Sequence, residues 1–170
     1  MKLLVTLGAT AALVLAACSQ TPDPAQVQRD VEKAQAEGQK KIADAQAKLD
    51  QVNAENRRDI VETRVDNAAA AASSANTTPS ATVEPGTASR ASANKEMADA
   101  REKAAKKTAD AQFGVDKARA EANYDVAFVR CKAQTGSVEK SCKDSAKSTY
   151  DLEINQAKVK STAANQNHRG

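Results

Sequence analysis

Three cysteines and one histidine are the residues of this 170-residue chain best equipped to do chemistry. Cys18 follows fifteen residues, Leu3 to Ala17, that carry no charge. Cys131 and Cys142 stand five residues before Gly136 and five after Ser137. A thiol pair so placed can close a disulfide, act as a redox couple or help to hold a metal. The redox reading lacks the tight Cys-X-X-Cys spacing that tunes a thiol. Zinc sites recruit four close ligands, and the single histidine, His168, lies in the tail. The crosslink reading fits the spacing: on two antiparallel helices joined near Gly136 the cysteines come opposite one another, and Cα atoms about 5.5 Å apart accept a disulfide. No metal and no cofactor is expected.

The end of the uncharged stretch, Leu15-Ala16-Ala17-Cys18, is a leucine, two small residues and a cysteine, and Met1-Lys2 gives the segment a cationic start. This pattern resembles the lipobox of bacterial lipoproteins. The resemblance implies that residues 1–17 are a signal peptide and that the Cys18 thiol receives diacylglycerol before cleavage. It also implies that the new amino terminus is acylated, palmitate being the expected kind of chain. Three acyl chains exceed the two signals that stable anchoring needs. An inserted anchor is the competing reading, but fifteen residues fall short of the roughly 20 that cross a bilayer. Ser19 stands where aspartate would be the retention signal in the enterobacterial pattern. The resemblance therefore places the chain in the bacterial cell envelope, held by lipid at the outer membrane and facing the periplasm. Once Cys18 is committed to lipid, Cys131 and Cys142 are left as a pair in an oxidising compartment.

Positioning these residues falls to helices. Large apolar side chains are scarce: there is no Trp, and there are two Phe and two Tyr. An Ala-rich chain buries little area per residue, which excludes a thick core and leaves helices, coiled coils or disorder. Residues 18–24, with Pro22 and Pro24, read as a lipidated tether. A first helix is expected over 25–66, continuing to 72 if the Ala68–Ala72 run extends it. Val27, Val31, Ala34, Gly38, Ile42, Ala45, Leu49 and Val52 recur every three or four residues and keep one narrow stripe. Ile60, Val61 and Val65 extend it less cleanly past Asn56 and Asp59. Residues 67–92, rich in Ala, Ser and Thr with Pro79, Pro85 and Gly86, read as a flexible linker.

A helical hairpin is expected over 93–160. Its first arm, capped at Asn94, carries Met97, Ala100, Ala104, Thr108, Ala111, Val115, Ala118, Ala122, Val126 and Val129, with Phe113, Tyr124 and Phe128 concentrated towards the turn. Gly136 suits the left-handed end, Ser137 the next cap, and Val138, Cys142, Ala146, Tyr150, Ile154 and Ala157 share a face of the second arm. Residues 161–170 read as a disordered tail. The expected architecture is all-α with coiled-coil character: a lipid-anchored helix, a linker, and a hairpin closed by a disulfide. Three separate helices, a long helix plus hairpin and a three-helix bundle all satisfy the same periodicity, and the middle arrangement, with the first helix apart from the hairpin, is favoured because the linker contains two prolines and little to pack.

From Tyr124 to Lys147 the aromatic, Cys131, Gly136, Cys142 and Ala146-Lys147 positions resemble a cysteine-bracketed helical hairpin of small exported proteobacterial proteins, many of them likened to the cell-envelope protein TolA. That resemblance implies envelope residence more than a mechanism.

The formal charge is +3, with acidic and basic residues interspersed, so the concentrated cationic footprint of a nucleic-acid binder is missing. Carboxylates alternate with Lys and Arg, as in Asp99-Arg101-Glu102-Lys103, which fits a solvated face better than a catalytic pair. No nucleophile with a base and no phosphate-binding loop is present. The expectation is a non-enzymatic envelope module whose partners are the membrane, through lipid, and a helical protein or a second copy. Two other readings stay open: a peptidoglycan tether similar to the major murein lipoprotein, and a lipoprotein inhibitor or chaperone. The murein lipoprotein ends in the lysine that is joined to the wall, and this chain ends in His168-Arg169-Gly170. That difference counts against covalent attachment and leaves non-covalent wall binding.

Overall fold

The computed structural model describes residues 22–75 and 85–167. The expected signal peptide, Cys18, the middle of the expected linker and the end of the tail lie outside the described residues. Within them the chain is all-α: α1 spans Pro24–Ala75, α2 Pro85–Cys131 and α3 Gly136–Asn167.

Each helix is set by local chemistry. Asp23 caps α1: its Oδ1 accepts the Ala25 N–H at 3.0 Å, and its carbonyl accepts those of Gln26 and Val27. Pro24 then takes the first helical position, where its missing N–H has no helical acceptor to serve. Along the exposed faces glutamine amides donate four residues onward, from Gln26 to Asp30, Gln28 to Glu32, Gln46 to Asp50 and Gln51 to Glu55. Such pairs contribute about 0.2–0.5 kcal/mol each, which helps a helix with little core of its own.

The helices are longer than the sequence reading expected. α1 continues to Ala75 because the Ala68–Ala72 run has the highest helix propensity available. α2 begins at Pro85, tolerated for the same reason as Pro24, so Asn94 lies inside the helix and is not its cap. The expected linker over 67–92 is therefore helical over 67–75 and 85–92, and only its middle lies outside the described residues. The tail is helical through Asn167, since no Pro or Gly interrupts it.

α1 does not stand apart. It lies antiparallel along α2, and α3 lies antiparallel along another face of α2, while α1 and α3 make no close backbone approach among the described residues. α2 is thus the shared helix. The α1–α2 register is constant: Gly38 meets Ala122, Asn56 meets Ala104 and Asn67 meets Ala93. Equal steps along both helices over that span, about 43 Å at 1.5 Å per residue, leave no slippage.

The seam is made of small residues. Val31, Ala34, Gly38 and Leu49 of α1 are buried against a stripe that includes Ala104, Val115, Ala118 and Ala122 of α2. At Gly38 a Cβ would fall 2.6 Å from the Ala122 Cβ and 3.2 Å from its Cα, so any larger residue there forces the helices apart. Past Val52 the spacing of three and four brings Asn56, Ile60, Thr63 and Asn67 inward, while Val61 and Val65, one and two positions out of step, are 57% and 60% exposed. Val138 is likewise 58% exposed, not on the packed face of α3.

Most polar groups on this seam are matched, although the buried Asn56 Oδ1 has no hydrogen-bond partner. Asn56 donates to the Ala104 carbonyl at 2.8 Å and to Thr108 Oγ1 at 3.0 Å, and that hydroxyl donates to Asn53 Oδ1 at 3.0 Å. Two ion pairs cross the seam with opposite polarity, Lys41 to Asp125 at 2.9 Å and Lys107 to Asp59 at 3.2 Å. Sliding α1 by one or two turns in either direction would separate both pairs at once. The pairs therefore penalise wrong registers.

Candidate functional site: the disulfide-closed end

α2 ends by tightening. The Lys132 N–H is shared between the Phe128 and Val129 carbonyls, and those of Ala133 and Gln134 donate three residues back, to Arg130 and Cys131. Gly136 then takes φ 62°, a left-handed conformation that glycine adopts without a Cβ penalty, and α3 leaves in the opposite direction. This turn brings Cys131 and Cys142 to disulfide distance, with Cα atoms 5.4 Å apart, as their symmetric spacing predicts. Cys131 is 1% exposed and Cys142 half-buried, so the pair is shielded from exchange partners on one side.

The bulkiest side chains gather here. The Tyr124 ring lies 5.7 Å from that of Phe128 and 5.4 Å from that of Tyr150, linking α2 to α3. Lys132 and Lys143 lie over the Phe128 ring at 5.1 and 5.0 Å, and Lys143 is also paired with Glu139. Further along, Asn123 donates to the Glu153 carboxylate at 3.4 Å. Lys41 brings α1 to this region through Asp125, whose hydrogen bond and charge raise its pKa above the ordinary lysine value. Lys147 is raised in the same way by Asp151.

The start of α1 meets this end of the molecule. Pro22, Gln26 and Val27 share a groove with Val129 and Lys132, so the residue four places after Cys18 lies beside the disulfide turn. Among the described residues no three His, Cys, Asp or Glu side chains group as metal ligands, and no helix is long and apolar enough to cross a membrane. Of the residues singled out from sequence, Cys131 and Cys142 are together, whereas Cys18 and His168 lie outside the described residues. The Asn53–Thr108–Asn56 contact and the paired Lys–Asp bridges were missed. Their signal was available: Asn56 and Thr108 fall on the same three-and-four spacing as the apolar stripes.

The chain matches no family model, no curated protein and no solved structure.

Proposed function

We propose that this chain is a non-enzymatic lipoprotein of the bacterial cell envelope, tethered by lipid on Cys18 and serving as a helical structural or interaction module. The observation that carries the reading is the sequence Leu15-Ala16-Ala17-Cys18, whose cysteine stands six residues before the start of α1 at Pro24. A cysteine pair at disulfide distance is consistent with an oxidising compartment. Long antiparallel helices with small-residue seams suit a rod-like spacer or a surface for another helix better than a concave reaction site. The outer membrane, facing the periplasm, is the proposed location because Ser19 follows the lipidated position.

Intact mass and thiol analysis of protein extracted from native membranes without reductant tests the reading. The expected species begins at an acylated Cys18 and has no free thiol at Cys131 or Cys142. An unacylated chain with two free thiols would overturn it.

A further inference from the structure

The sequence places the lipid and the turn at opposite ends of the chain's folding units, but the fold brings them together. From Cys18 to Asp23, where α1 is capped, there are five residue steps, at most about 18 Å of extended chain. Pro22 already lies in one groove with Lys132. Whatever holds Cys18 therefore holds the start of α1 within that distance and keeps the neighbouring Lys132 near it, while the far ends of α1 and α2 stand some 70 Å away at 1.5 Å per residue.

The composition of this end is suited to such a neighbour. The hairpin end carries Arg130, Lys132, Lys140 and Lys143 against Asp144 and against Glu139, which Lys143 pairs. The start of α1 adds Asp23, Arg29 and Asp30, so the end as a whole keeps only a small cationic excess. Lys132 and Lys140 are exposed, and neither has an ion-pair partner among the described residues. Val138, in the first turn of α3, is 58% exposed at the same end of the molecule. Cations near an anionic surface gain about 1 kcal/mol each within a Debye length, so a short tether turns a weak attraction into a persistent contact.

We propose that the disulfide-closed turn is a membrane-contacting foot, in which Lys132, Lys140 and Val138 rest on the anionic headgroups of the bilayer that holds the lipid. The inference rests on the lipid-anchor reading. It orients the molecule: the turn faces the membrane, and the α1–α2 end is the part presented to the compartment.

Because the chain has no tryptophan, Thr135→Trp and Arg64→Trp each supply a single fluorescent probe, one in the turn and one far along α1. The full lipidated protein is reconstituted in phosphatidylethanolamine vesicles with phosphatidylglycerol and a nitroxide on the headgroups. Strong quenching of Thr135→Trp and little of Arg64→Trp is expected, with several-fold weaker quenching of the former when Lys132→Glu and Lys140→Glu are added or phosphatidylglycerol is left out. Equal quenching at both positions, or quenching indifferent to charge and lipid, overturns the foot. Mass analysis of the same sample separates the two failures. An acylated Cys18 with an unquenched turn rejects the foot alone, and an unacylated Cys18 rejects the anchor and the foot together.

Discussion

The half of the molecule that carries the turn and the half that runs on beyond α3 share one Ala-rich seam but are held by different chemistry. Near the turn, α1, α2 and α3 are all present, and the contacts are aromatic, aliphatic and covalent: Tyr124 with Tyr150, Val115 buried to 1%, Cys131 with Cys142. Stepping on from the Asn123–Glu153 contact, α3 ends opposite about Ala109. Beyond that point only α1 and α2 continue, and the seam there is polar at Asn56, Thr108 and Asn67. Apolar burial is non-directional and supplies most of the stability. Hydrogen bonds between buried groups contribute less but tolerate only one alignment. One half thus provides adhesion, and the other holds the register of two long helices that have little else to fix it.

The largest expected break in this contrast comes from the disulfide. Replacing Cys131 and Cys142 together by serine should remove about 3 kcal/mol in the loop-entropy model. Amide exchange should accelerate throughout α3 while residues 53–67 of α1 keep their protection. Equal acceleration in both halves would mean that the division does not exist.

A smaller effect is expected in the far half. Thr108→Val removes the hydroxyl that links Asn53 to Asn56 and should cost about 1 kcal/mol, read as a lowered urea midpoint. If the two halves differ as described, the loss appears as faster exchange around Asn53 and Ala104 with none at the turn. An unchanged midpoint would demote the network to a bystander.

The smallest expected effect is electrostatic. Lys41 is held above its ordinary pKa by Asp125, so the pair's contribution is fully present below the unfolded value of 10.5 and is lost as pH rises through the higher folded value. Because Lys41 and Asp125 are 48% and 43% exposed, solvent limits the contribution to about 0.2–1 kcal/mol. The stability difference between the native chain and Lys41→Met should be constant near neutrality and vanish in strongly alkaline solution. A difference that persists undiminished in alkaline solution would assign the effect to packing of the lysine stem.

The two halves were not equally legible in the sequence. Near the turn, apolar periodicity and cysteine symmetry point directly to buried positions: Val31, Ala34, Leu49, Val115, Ala118, Ala122, Ala146 and Ala157 are all buried as their spacing requires. In the far half the inward positions of α1 include Asn56, Thr63 and Asn67 beside Ile60, so apolar spacing also selected Val61 and Val65, which face solvent. α2 also needed two stripes, one for each neighbour. The second, through Ala109, Ala120 and Cys131, is buried but interrupted by Asp116 and Asn123, which kept it hidden. Helix ends were misplaced where prolines were taken as breaks although a proline at the first helical position is favourable. Docking of α1 on α2 was missed because an Ala seam offers little apolar area to signal it, while the close approach at Gly38 becomes apparent only when both helices are in place.

Because α1 and α3 make no close backbone approach among the described residues and are each packed along α2, a pull along the long axis is carried unequally. Tension between the start of α1 and the far end of α2 would load the α1–α2 seam lengthwise, with Gly38, Asn56 and Asn67 and both Lys–Asp bridges sharing the strain at once. Tension that draws α3 sideways would open its contacts one after another until it reached the crosslink. The shared helix gives the molecule a strong direction and a weak one, and the disulfide stands at the point where the weak direction would otherwise give way.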